Sequence, residues 1–163
     1  MRFYFVDRVS ELTPGVSIRG YKQVAMEAGY FDTHFPRYPV FPGVLIVEAM
    51  AQLAGLLLEC SPPAPGDAAP PPGEERKALL SIVDRVKFKR LVRPGDRLEL
   101  AARLGVRDED GARAEVEARV DGELVAATRL TFALLPVPPQ FAATVREERA
   151  ALLLALQAPV AAK

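Results

Sequence analysis

Residues 44–58, VLIVEAMAQLAGLLL, constrain the fold of this chain more than any other stretch. Only Glu48 and Gln52 interrupt an otherwise apolar run. A helix that is apolar on all sides must be enclosed by protein over most of its surface. The run falls short of the roughly 20 residues that span a bilayer, so it reads as the central helix of a soluble domain. Pro42 cannot continue a helix from upstream but suits a first turn, which places the helix start at about Gly43. Gly55 inside the helix costs roughly 1 kcal/mol against alanine, which suggests close approach of a neighbouring backbone there.

The remaining chain supplies a sheet to enclose that helix. Leu98, Leu100, Ala102 and Leu104 alternate with Arg97, Glu99, Ala101 and Arg103, and Ala112, Ala114, Val116, Ala118 and Val120 alternate with Arg113, Glu115, Glu117 and Arg119. Such patterns describe antiparallel strands with one apolar and one wet face. Asp121-Gly122 is a two-residue hairpin signal, and residues 124–134 form the return strand. The small side chains of Ala112, Ala114 and Ala118 leave room for a bulky helix. Residues 79–83 and 86–92 read as further strand, 16–26 as a strand, and 4–12 as a strand or a short helical turn. Residues 29–42, dense in aromatics and prolines, form a stiff irregular loop, because each proline biases its predecessor toward extended geometry. Residues 61–75, SPPAPGDAAPPPGEE, read as an exposed, partly disordered loop of polyproline character. Pro136, Pro138 and Pro139 stop the sheet, and residues 141–156 form a closing helix, amphipathic around Arg146, Glu147, Glu148 and Arg149. The expected architecture is α+β: a long, curved antiparallel sheet wrapped around one apolar helix, the hot-dog fold. It would occupy residues 1–135, with 136–163 as a helical extension. An open edge of such a sheet is suited to pairing with a second copy.

Composition removes several classes of function. A chain of 163 residues suits one domain. With 21 basic and 21 acidic residues it is not built to coat nucleic acid. One cysteine, Cys60, excludes an intrachain disulfide, and one histidine, His34, leaves no His/Cys cluster for zinc. No Gly-rich phosphate loop or nucleophile elbow is present, so neither metal nor cofactor is expected. Asp7 stands where a signal peptide needs apolar residues, so a cytoplasmic protein with no membrane segment is expected.

The chemistry-bearing residues lie between positions 30 and 52. His34 can exchange a proton near neutral pH, and its stiff loop would hold it in place. The alternative is a structural histidine bonded to backbone. Glu48, inside the apolar helix, must be protonated, paired or facing a cavity, and is a general-acid candidate. Gln52, one turn on, would orient Glu48 or simply satisfy it. The first N–H groups of the helix, at Gly43 and Val44, lack helical partners, and a glycine permits close approach of a ligand oxygen; an oxyanion site and an ordinary helix entry are both compatible with this. Cys60 reads as a small core or surface residue.

The string from His34 to Gln52, H-F-P-x-x-P-V-F-P-G-V-L-I-V-E-A-M-A-Q, resembles the signature of the 3-hydroxyacyl-acyl carrier protein dehydratases of bacterial fatty-acid synthesis. Phe5-Val-Asp-Arg-Val9 with Pro14-Gly15, and Val86-Lys-Phe-Lys-Arg90 with Val92-x-Pro-Gly-Asp96 and Val120-Asp-Gly122, extend the resemblance over residues 5–131. It implies loss of water from a 3-hydroxyacyl thioester to give the trans-2-enoyl product. His34 would be the base at C2, the Gly43 and Val44 N–H groups would hold the enolate oxygen, Glu48 would protonate the leaving hydroxyl, and Gln52 would lie beside the acid. It also implies an acidic acyl carrier protein as partner and a homodimer, or a hexamer of three dimers, in which one subunit's histidine works with the other's glutamate. Lys87, Lys89, Arg90 and Arg93 crowd a short basic stretch that would be either a docking patch or a solvated strand face. Three features depart from the family. Thr33 replaces a glycine before the histidine, residues 77–82 lack an aromatic gate, and both the 61–75 loop and the tail after Phe132 are extra. Acyl thioesterase chemistry through Glu48, or non-catalytic carrier binding, are the alternatives.

Overall fold

The structure, a computed structural model of the chain, describes residues 4–26, 29–32, 34–35, 37–63, 71, 73–108 and 111–157. Thr33, most of the proline-rich loop (64–70 and 72) and the last six residues of the extension lie outside these.

Seven strands and two helices follow in the order β1 (Arg8–Thr13), β2 (Ser17–Gln23), α1 (Gly43–Glu59), β3 (Arg76–Val83), β4 (Lys87–Phe88), β5 (Arg97–Arg107), β6 (Gly111–Val120), β7 (Glu123–Pro136) and α2 (Pro139–Gln157). The strands form one antiparallel sheet in the order β1-β2-β5-β6-β7-β3, with β4 also paired to β7. The β6–β7 hairpin turns at Asp121 and Gly122, both with positive φ, 52° and 78°, as a tight hairpin of matching twist requires. Opposite the Ala118/Arg119 step the register shifts: Ala118 pairs with Ala126 and Arg119 with Leu124. Val125 is thus an extra residue, a bulge that buries Val125 and Ala126 together and bends the sheet.

α1 lies along the apolar face of this sheet. Ile46, Ala49, Met50, Leu53, Ala54, Leu57 and Leu58 are buried, against strands whose inward side chains include Leu98, Leu100, Ala114, Val116, Ala118 and Leu130. This is the hot-dog arrangement expected from the sequence. Gly55 corrects one expectation. A side chain there would meet the Phe132 ring at 3.8 Å and the Ala78 Cβ at 4.0 Å, which is ordinary contact and not a backbone crossing. Strand 86–92 is also shorter than expected: pairing is confined to Lys87 and Phe88, with one further bond from the Lys89 N–H to the Val125 carbonyl.

The extension is not a loose tail. α2 packs against β1, and Arg146 and Arg149 both bond the Glu75 carboxylate, at 2.8 and 2.7 Å. Glu75 is at the end of the proline-rich loop, just before β3, so the clasp ties that loop's exit to the last helix. Hydrogen bonding from Arg146 holds the Glu75 carboxyl below the usual carboxylate range against a desolvation that opposes it, with Arg149 adding to the effect. A depressed folded-state value means that the clasp stabilises fully above the ordinary glutamate range and is lost as pH falls through the folded value. Acidification below the ordinary glutamate range is therefore expected to loosen the tie between α2 and the loop exit. Amide protection across residues 146–149, taken relative to the intrinsic exchange rate at each pH, should fall there in the wild type and stay nearly level in Glu75→Gln. Equal pH dependence in both would disprove the clasp. No helix among the described residues is long and apolar enough to cross a membrane.

Candidate active site

The loop 29–42 is held from both ends by aromatic packing. Tyr30 meets Phe31 and Phe41 edge-on, with centroids 4.7 and 5.3 Å apart, and Phe41 meets Phe5 at 6.4 Å. The Phe41 N–H donates to the Val92 carbonyl at 2.7 Å, fixing the loop's exit against the segment before β5. Within this frame the His34 N–H donates to the Tyr30 carbonyl at 2.9 Å, and the half-buried imidazole rests edge-on against the Phe35 ring at 4.6 Å. Phe35 has φ of 50°, a left-handed backbone that costs a non-glycine residue about 1–2 kcal/mol. Such positions persist where the surroundings impose them, often beside reactive groups. The backbone of His34, not its ring, makes the bond to Tyr30, so the imidazole is not consumed by that contact.

Glu48 projects from α1 into a space that β3, β7 and α2 also border. It is half-buried, and the Gln52 side-chain amide donates to its carboxylate at 2.9 Å. The Gln52 oxygen in turn accepts from the Phe5 N–H at 2.8 Å. This chain of bonds fixes the amide with its nitrogen toward Glu48. Glu48, Ala51, Gln52, Gly55, Leu56 and Glu59 recur at helical spacing along one face and line a cavity of about 260 Å³. Residues 77–80 of β3, Phe132 of β7 and Leu152 and Leu156 of α2 complete most of its wall. Its far end is closed by Glu59, whose carboxylate pairs with Lys77 at 3.0 Å and accepts from the Ala78 N–H at 3.3 Å. His34 is not among the lining residues.

The helix start carries a contact the sequence did not reveal. The Leu45 and Ile46 N–H groups both donate to the Pro42 carbonyl, and no side chain caps the helix. Among the described residues, the Gly43 and Val44 N–H groups have no acceptor, as an oxyanion site needs. The space left by the missing Gly43 side chain is occupied, however. A Cβ there would lie 2.9 Å from the Phe88 ring. Glycine at this position admits an aromatic ring from β4, where the sequence reading left room for a ligand. Phe88 stands between two lysines in a short strand, so no periodic pattern in the sequence singles it out.

The basic stretch divides in two. Arg90 is half-buried, donates to the Val120 carbonyl at 2.9 Å and pairs with Glu123 at 3.0 Å and Asp121 at 3.6 Å. Arg93 bonds the Tyr38 hydroxyl and stacks over its ring at 5.1 Å. Both arginines are engaged within the chain, while Arg93 stays exposed at the surface. Lys87 and Lys89 are exposed and make no ion pair among the described residues. Burial pushes the Cys60 thiol up from its ordinary range, so it is not a poised nucleophile.

The hot-dog sheet sets a carboxylate in the wall of a largely apolar cavity, an arrangement typical of small-molecule sites. Comparison with known proteins then names the family. Residues 1–129 match the FabA-like domain family, and the chain belongs to it. It is 40% identical over 132 residues to the 3-hydroxyacyl-[acyl-carrier-protein] dehydratase FabZ of Bacillus velezensis, covering 81% of this chain and 87% of the relative. It is 42% identical to that of Nitratidesulfovibrio vulgaris, covering 81% of each. Among solved structures, smu.793 from Streptococcus mutans, bound to acetyl CoA, has a TM-score of 0.63 at 12% identity, covering 83% of this chain and 93% of that one. The dehydratase heterocomplex ApeI:P from Xenorhabdus doucetiae gives 0.62 at 17%, with 82% and 84% covered. These two likenesses show the fold.

Proposed function

We propose that this chain dehydrates 3-hydroxyacyl thioesters carried on acyl carrier protein, in fatty-acid or related lipid synthesis, with His34 and Glu48 as the catalytic pair. The observation that carries the reading is the Glu48–Gln52 couple set in the wall of an apolar cavity within a chain of this family. Its carboxyl group is oriented toward a space where an acyl chain fits. His34 removes the proton at C2, which the thioester carbonyl acidifies. The Gly43 and Val44 N–H groups stabilise the developing enolate oxygen. Glu48 delivers a proton to the departing 3-hydroxyl, so the C3–O bond breaks as water leaves and the electron pair from C2–H forms the double bond. The protein's own backbone and side-chain groups supply each step.

His34 lies outside the cavity that Glu48 lines, which supports a site completed by a second copy. β3 offers the place for that copy. It is an edge strand, and Leu79, Leu80, Ile82 and Val83 are exposed along it, 39–55% by residue. An apolar edge of this kind is a pairing surface. A homodimer joined along β3 would place a partner next to the cavity wall formed by residues 77–80.

Lys87 and Lys89 are the cations left for docking an acidic carrier protein. The test is one assay with two substrates. Purified protein should hydrate crotonyl thioester, with loss of enoyl absorbance and no release of free thiol; thiol release without hydration identifies a thioesterase and sinks the proposal. With carrier-bound substrate, the double charge reversal Lys87→Glu/Lys89→Glu should raise KM by about tenfold and remove the salt dependence of kcat/KM, leaving kcat near wild type. An unchanged KM would show that the carrier docks elsewhere.

A further inference from the structure

α2 lies beyond the residues that match the family, yet it helps to close the cavity that holds Glu48. Leu156 is only 8% exposed and Leu152 is half-buried, and both face that cavity from the side opposite α1. The helix is fastened where a movable flap would be loose, since two arginines converge on the largely buried Glu75 carboxylate. Leu152 and Leu156 stand one helical turn apart, so they present one continuous apolar surface. Along the cavity from Glu48 the lining passes to Gly55 and Phe132, and it ends at the Glu59–Lys77 pair.

We propose that α2 is the outer wall of the acyl-binding cavity and that Leu152 and Leu156 set which acyl chain lengths this protein accepts. The inference rests on the dehydratase reading, because it takes the substrate's carbon chain to extend from Glu48 along this cavity. An apolar chain in such a cavity gains contact with each methylene until it meets a wall, and one methylene too many or too few is worth about 10–200-fold in discrimination. Leu152 and Leu156 are aliphatic and line the same cavity as Glu48, where an alkyl chain would pass between α1 and the extension. The ion pair at Glu59–Lys77 bounds the same space with charge, which an alkyl terminus avoids.

The test measures kcat/KM of the full-length protein on thioesters from 3-hydroxybutyryl to 3-hydroxydodecanoyl. Leu152 is chosen because it is only half-buried, so its replacements fold. Leu152→Phe should lower the ratio of kcat/KM for the longest accepted substrate over the butyryl substrate by about tenfold or more, and Leu152→Ala should raise that ratio. A ratio that neither variant moves, or that both move in the same direction, overturns the proposal. A second arm needs no turnover: displacement of a fluorescent fatty acid by unlabelled fatty acids of increasing length. The length of tightest displacement should shorten in Leu152→Phe and lengthen in Leu152→Ala, and an optimum unmoved in both overturns the wall. If wild type dehydrates no substrate, the dehydratase reading fails while this binding arm still decides the role of α2.

Discussion

Replacing His34 with alanine is expected to lower hydration of crotonyl thioester by roughly 10²–10⁴-fold, and Glu48→Gln by a similar factor, because each removes one proton-transfer group from the reaction. Glutamine at 48 keeps the size of the side chain and can still bond Gln52, so the loss reports the missing acid and not a collapsed helix. Glu48 is half-buried at the cavity face of α1, and His34 packs only against Phe35 among the ring contacts of the described residues. Neither change opens the core, and melting temperatures should stay close to wild type. Turnover within a few fold of wild type in either variant would remove that residue from the mechanism. Lost activity accompanied by unfolding would instead assign the residue to structure.

Mixing the two inactive variants is expected to restore activity. In a dimer whose sites each take a histidine from one subunit and a glutamate from the other, a chain lacking His34 and a chain lacking Glu48 leave one intact site between them. After random exchange of subunits, about a quarter of wild-type turnover should return, since half the dimers are mixed and each carries one working site of two. The two homodimers remain inactive. The prediction follows from His34 lying away from the lining of Glu48's cavity, together with the exposed apolar edge of β3. Exchange shown by differently tagged subunits, with no recovered turnover, would mean that each chain builds its own site.

Much of this architecture was legible because burial is periodic. The apolar run from Val44, interrupted only at Glu48 and Gln52, demanded a sheet around it, and the two-residue alternation of β5 and β6 supplied one. The carboxylate at Glu48 stood out because its neighbours are apolar, and Gln52 followed from the helical repeat. What escaped were contacts between segments far apart in the chain. Phe88 against Gly43 joins a strand to a helix start with no pattern in either. Glu75 ends a low-complexity loop, and Arg146 and Arg149 occupy a charged stretch of α2 that reads as a solvated face, so nothing in local composition pairs them. Arg90 and Arg93 show the same limit: Asp121, Glu123 and Tyr38, which engage them, belong to other segments. The extra residue at Val125 was hidden for a similar reason: a bulge is a relation between two strands, and the sequence of one strand does not contain it.

The contact between Phe88 and Gly43 has an optical use. The chain contains no tryptophan, and the Phe88 ring is half-exposed while touching the start of α1. Phe88→Trp would therefore install a lone indole beside the two free N–H groups at Gly43 and Val44. Its emission would respond to whatever settles there, so occupancy of the anion site becomes visible as a spectral shift before any bond is broken. An emission spectrum unmoved by saturating acyl thioester would mean that the ligand oxygen binds away from the helix start.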